Sequence, residues 1–137
     1  MSISSFSGPN FFLSNFYPTT IEYDGYKYRT LEHAYQAAKH PPEERYRIQQ
    51  VYSPSAAKRV SLNKRLRDPS FKKMKIMELL LRQKFNKRGL GEALTETAPH
   101  DLVEDNDWGD TYWGTCDGVG ENRLGQLLMI IRAELLR

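Results

Sequence analysis

One stretch restricts the possible folds more than any other: TIEY and YKYR, two short runs of strand formers, flank Asp24-Gly25, a dipeptide suited to a two-residue turn. A hairpin is predicted there, and the chain beyond it has helical periodicity. Leu31, Ala34, Tyr35 and Ala38 recur at i, i+3, i+4 and i+7, which gives a helix over residues 31–39 one apolar face. After the Pro41-Pro42 break a short helix is predicted from Glu43 to Val51. Ser53 is placed as an N-cap, with Pro54 at the first helical position, where no backbone donor is needed. By the same logic Asp68 caps, and Pro69 begins, a long helix with the apolar face Phe71, Met74, Met77, Leu81 and Phe85, ended by Arg88-Gly89. A shorter helix near Gly91 to Glu96, a short strand in DLVED and an irregular glycine-rich run come next. The last helix carries Leu124, Leu127, Leu128, Ile131 and Leu135 on one face, and the unbroken LLMII predicts burial on more than one side.

The expected fold class is therefore α+β: mainly helical, with a small β element near the N-terminus. At 137 residues the chain suits one domain with one continuous core. No segment has the apolar length of a bilayer span, which argues against a membrane protein. The start, MSISSFSGPNFF, lacks the basic flank and apolar stretch of a secretory signal, and Cys116 has no second cysteine to bridge with, so a cytoplasmic protein is expected. The net charge of +3 hides an uneven distribution. From Lys58 to Lys75 the charged residues are lysine and arginine except for Asp68, and from Glu92 to Glu121 they are all acidic. Two segments of opposite sign can simply attract each other, or a basic wall can hold a phosphorylated substrate while carboxylates do chemistry.

The stretch RTLEHAYQAAKH places Glu32 in a first helical turn, with Thr30 as the predicted N-cap and Glu32, Gln36 and Lys39 on one stripe. A carboxylate there gains roughly 0.3–1 kcal/mol from the helix dipole and needs no other purpose. Its neighbours Leu31, His33, Ala34 and Tyr35, however, belong to a crowded, half-buried place, where a solvated capping glutamate is unusual. His33, His40, His100 and Cys116 have no recognised ligand spacing, so no metal site is expected, and nothing ties a base to Cys116 as a nucleophile.

Two other stretches compete for chemistry. In LSNFYP, Ser14 and Asn15 can hydrogen-bond a base edge and Phe16 and Tyr17 can stack on its face, although an aromatic-anchored turn is the commoner use. In DTYWGTCDGVGENRLG, Asp110, Trp113 and Gly114 precede Gly118, Gly120, Asn122, Arg123 and Gly125. The spacing matches neither a dinucleotide fingerprint nor a P-loop. Glycines leading into a helix can nevertheless expose amides to a phosphate, with Arg123 in the first turn.

Taken in order, LSNFYP, LEHAYQAAK, SPSAAK, KKMKIMELLLRQKF, LVE and YWGTCDGVGENRLGQLLM resemble the NADAR family, from about Phe6 to Leu136. Glu32-His33 with Tyr35-Gln36, and Trp113-Gly114 through Asn122 to Gly125, are the most specific parts. The resemblance implies a mainly helical α+β domain and an N-glycosidase acting on a ribose–nitrogen bond. The substrate it implies is a phosphorylated ribosylamino-pyrimidine of riboflavin synthesis or ADP-ribosylated guanine, the latter making nucleic acid carrying ADP-ribose a possible partner. It makes Glu32 the first candidate for the catalytic carboxylate and Asp110 a second acid.

The chemistry suits those residue types. Breaking an N-glycosidic bond builds positive charge on the sugar, which a carboxylate can stabilise while it orients or deprotonates water. Asn15 or Asp110 can hydrogen-bond the departing heterocycle, Trp113 or Phe16 can stack on it, and Lys39, Lys58 and Arg123 can take phosphate. Ser14, Tyr17, Gln36, Gly114 and Asn122 complete the expected substrate-binding set. No cofactor is required. An alternative is a module that binds ADP-ribose or a nucleotide without cleaving it, and direct duplex binding by the basic segment is a weaker possibility. The chain departs from many relatives at Ser61-Leu62, where they carry Gly-Arg, and at Pro69, where they carry Trp. Trp108 or Phe71 is expected to restore an aromatic wall.

Overall fold

The computed structural model describes residues 1–62 and 68–137, so Lys64, Arg65 and Arg67 of the basic segment lie outside the described residues. The expected hairpin forms, with β1 at Ser2–Ile3, β2 at Pro18–Tyr23 and β3 at Tyr26–Thr30. β2 and β3 pair antiparallel, Tyr23 facing Tyr26 and Ile21 facing Tyr28. Asp24 and Gly25 have φ of 51° and 86°, as a twist-matched two-residue turn requires. The helices are α1 at Leu31–Ala38, α2 at Tyr46–Gln49, α3 at Pro54–Leu62, α4 at Lys73–Phe85, α5 at Arg88–Glu96 and α6 at Arg123–Leu135. Three further two-residue strands are β4 at Asp101–Leu102, β5 at Asp105–Asn106 and β6 at Thr115–Cys116. β1 pairs with β4 and β5 with β6, both in parallel. No helix among the described residues is long and apolar enough to cross a membrane.

The chain contacts group into two units, Asn15–Lys84 and Met1–Ser14 together with Phe85–Arg137. In the first, α1 packs against the hairpin, α2 and α3. Leu31, Ala34, Tyr35 and Ala38 are buried, as the apolar spacing predicts, but so are the other four residues of α1, so the helix is covered all round rather than on one face. Thr30 caps α1 through its Oγ1, 3.1 Å from the His33 amide, and Ser53 caps α3 through its Oγ, 3.1 Å from the Ala56 amide. Met77, Leu80 and Leu81 form the buried stripe of α4.

Four expectations change. Asp68 does not cap α4: its carboxylate accepts from the Ser70 amide and hydroxyl at 2.9 and 2.6 Å, closing a turn, and the helix starts only at Lys73. Competition of a short acidic side chain for nearby backbone donors is the physical reason. Those bonds hold the Asp68 carboxyl below its ordinary pKa. Arg88-Gly89 opens α5 rather than ending α4, which stops at Phe85. The helix expected over 43–51 divides into a 3-10 turn, Pro42–Glu44, and the four residues of α2. In the second unit α6 packs on α5 and β4, and Leu124, Leu127, Leu128 and Ile131 are buried. Ile130 is 51% exposed and Leu135 42%, so LLMII is covered on one side only.

Candidate active site

Glu32 is in the first turn of α1 and only 7% exposed. Its backbone amide donates to the Asn15 carbonyl at 3.1 Å, which ties the LSNFYP loop to the start of the helix. One turn on, Gln36 is also buried, and its Nε2 donates to Glu32 Oε2 at 2.5 Å. The i, i+4 spacing that puts both side chains on one stripe therefore produces a carboxylate whose direction is set by an amide. Asn15 is buried as well. Its Nδ2 is 3.6 Å from Met77 Sδ, while its Oδ1 has no hydrogen-bond partner among the described residues.

Cations line the same unit. Lys39 Nζ is 5.0 Å from the Tyr35 ring centroid and Lys58 Nζ 5.9 Å from that of Phe16. Phe71 meets Tyr35 edge-on at 5.5 Å. Ser61 is buried with its Oγ 2.9 Å from His40 Nε2, whereas Leu62 is exposed, so the first departure serves a buried hydrogen bond. Sequence reading missed Lys84, which is fully buried with Nζ 5.6 Å from the Tyr17 ring. A signal was available: Lys84 follows Met77 by seven residues, on the stripe shared by Leu80 and Leu81, where a lysine is unusual.

His33 is not disposed as a ligand. Its Nε2 is 3.0 Å from the Val51 carbonyl and its Nδ1 2.8 Å from Thr30 Oγ1. A carbonyl only accepts, so Nε2 carries the proton and Nδ1 accepts from the threonine hydroxyl. Burial lowers the His33 pKa, the Val51 bond opposes the shift, and Arg29 adds to it. The unfolded chain therefore binds more protons than the folded one between the depressed value and the ordinary 6.5. Stability from this residue is intact above the ordinary value and is lost as pH falls through it. Urea unfolding between about pH 7 and 5 should show this acid-side decline, and His33→Gln should flatten it whatever its absolute stability.

The glycine-rich run, in the other unit, is organised mainly by its own hydrogen bonds. Asp110 Oδ1 accepts from the amides of Tyr112 at 3.1 Å and Trp113 at 2.9 Å, so this carboxylate shapes the turn that presents Trp113. The Trp113 ring is half-buried and meets Tyr112 edge-on at 4.8 Å. The amides expected to seat a phosphate are occupied: Arg123 donates to the Tyr112 carbonyl at 3.0 Å, Leu124 to that of Trp113 at 2.9 Å, and Asn122 to that of Gly114 at 3.2 Å. The Arg123 guanidinium pairs with Glu121 at 2.8 Å, and this bond raises its pKa. Asn122 spends both ends of its amide on backbone, Oδ1 accepting from Glu104 N and Nδ2 donating to Leu102 O, each at 2.9 Å. A Cβ on Gly114 would run into the Glu104 carbonyl and come within 2.9 Å of Asn106 Nδ2. Gly114 and Asn122 thus hold this part of the fold. Ser14, at the end of the 3-10 turn Gly8–Leu13, donates its amide to the Phe11 carbonyl at 2.9 Å.

The profile of the NADAR domain family matches residues 4–136. The chain belongs to the NADAR family. Among NADAR relatives, the N-glycosidase YbiA of Shigella flexneri serotype 5b is 42% identical over 129 residues, covering 89% of this chain and 79% of the relative. A riboflavin biosynthesis protein of Vibrio vulnificus is 32% identical over 131 residues, which are 90% of this chain and 35% of that protein. The NMR structure of Escherichia coli YbiA superposes with a TM-score of 0.82 at 37% identity, covering 98% of this chain and 85% of that one. The α+β fold expected from the sequence agrees with this match.

Proposed function

We propose that this NADAR chain is an N-glycosidase that hydrolyses a ribose–nitrogen bond, with Glu32 as the carboxylate facing the sugar. The observation that supports it is a buried acid, aimed by Gln36, in a helical first turn, where negative charge is stabilised. As the C1′–N bond breaks, its electron pair leaves with the heterocycle and the sugar becomes cationic. Glu32 stabilises that charge and takes a proton from the water whose oxygen bonds to C1′, and the proton passes on to the departing nitrogen, which leaves as the neutral base. Asn15 hydrogen-bonds the leaving heterocycle, Phe16 stacks on it, and Lys39 and Lys58 take the phosphate or diphosphate. The names of the relatives support this reaction class, and one of them adds riboflavin intermediates as a substrate class.

The two candidate substrates are a phosphorylated ribosylamino-pyrimidine and ADP-ribosylated guanine. Incubating the purified protein with each and following the products by mass spectrometry tests the proposal. Release of the free base from one of them is expected. Saturable binding with no product from either would overturn the proposal in favour of a binding module.

A further inference from the structure

The hairpin and the segment around α2 form a cavity of about 230 Å³ that Glu32 does not line. Its rim is Tyr26 of β3, 57% exposed, and Tyr46 of α2, 49% exposed. Tyr28, Arg45 and Gln49 form the deeper lining, with Glu43 at the edge. We propose that this cavity is a second binding site, which takes one planar heteroaromatic ring of the nucleobase class between Tyr26 and Tyr46. The inference does not depend on the Glu32 chemistry.

Three observations point there. Tyr28 is only 2% exposed and lines the cavity, where its hydroxyl can donate to a ligand. Burial raises the Tyr28 pKa, with Arg45 opposing, so the group stays a neutral O–H donor. The second observation is the state of Arg45, which is buried, donates to the His40 carbonyl at 2.9 Å and pairs with Asp24 at 2.8 Å and Asp68 at 3.3 Å. With its charge met by two carboxylates, it offers further N–H donors to a neutral carbonyl or ring nitrogen rather than a seat for an anion. The third is size. The volume falls below the roughly 300–1,000 Å³ of ligand pockets in general, which suits a single ring system with its sugar outside. Exposed tyrosine faces are what such a ring stacks on. Arg47, which pairs with Glu44 at 3.2 Å, lies 5.5 Å over the Tyr46 ring.

The base can come from a free nucleotide or from a single-stranded nucleic acid. Titrating AMP, GMP, CMP and UMP at millimolar concentration, and separately short oligo-dA and oligo-dT, into labelled protein observed by NMR distinguishes these sources. Saturable shifts at Tyr26, Tyr28 and Tyr46 are expected. Equal affinity for mononucleotide and oligonucleotide assigns a free nucleotide, and tighter oligonucleotide binding assigns a polymer base. Tyr26→Ala and Tyr46→Ala, both at exposed positions, should each weaken binding about 5- to 100-fold. Tyr28→Phe should weaken it about 3- to 10-fold. Glu32→Gln should bind as the parent does, which separates this site from the proposed catalytic one. No saturable shift with any nucleotide or oligonucleotide overturns the proposal, as do variants that bind unchanged. Saturation by a trimethyllysine peptide instead, which tyrosines and Glu43 could also attract, overturns it too.

Discussion

Glu32→Gln is expected to lower base release by about 10²- to 10⁴-fold, the range for loss of a positioned general base, with KM changed far less. The substitution keeps the side chain's shape and an oxygen for Gln36 Nε2 to donate to, so the 2.5 Å contact can persist and the helix remain capped by Thr30. What is lost is the charge that answers the cationic sugar and the basicity that accepts a proton from water. Circular dichroism and thermal unfolding should match the parent protein. Gln36→Ala tests the aiming role separately: a fall in kcat smaller than that of Glu32→Gln is expected, because the carboxylate remains but loses its fixed direction. Undiminished turnover in Glu32→Gln would remove the hydrolase proposal.

Asn122→Ala should reduce folding stability by about 2–4 kcal/mol in urea titration. Two side-chain hydrogen bonds to backbone disappear, leaving Glu104 N and Leu102 O without those partners. The residue also has φ of 50°, a left-handed conformation that asparagine tolerates and alanine resists. Asn122→Asp keeps the acceptor for Glu104 N but not the donor to Leu102 O, so about half of the loss is expected. Unchanged stability in the alanine variant would overturn this, and a raised KM beside the loss of stability would place Asn122 on the substrate as well. That result would restore the reading taken from the glycine-rich run.

Both variants probe features that differ in how well the sequence revealed them. Glu32 and Gln36 could be read because helical spacing converts directly into a shared face, and Thr30 marks where that helix begins. The hairpin could be read because Asp24-Gly25 permits few conformations. The structural role of Asn122 was not legible because glycine-rich chain before a helix has two uses, exposing amides to an anion or letting the loop fold back onto them. Which one applies depends on the Tyr112, Trp113 and Gly114 carbonyls, which arrive by a path that residue types do not encode. Asp68 was misplaced for a related reason, since its side chain can serve a turn as well as a cap. Lys84 and Arg45 were passed over because burial of a cation depends on tertiary partners, such as the carboxylates that meet Arg45. The missing arginine and indole of many relatives drew attention to positions where this chain has a buried serine and a turn.

The parallel pairing of Ser2–Ile3 with Asp101–Leu102 has a consequence for biogenesis. A ribosome releases the chain from its N-terminal end, so every contact internal to Asn15–Lys84 can form while the partner of the first strand has yet to leave the exit tunnel. The leading dozen residues must wait, their edge unmatched, until most of the message has been read. Nascent chains arrested once Lys84 has left the ribosome, with Asp101 still inside it, should therefore resist protease across the hairpin and the first helices while the segment around Ser2–Ile3 is still cleaved.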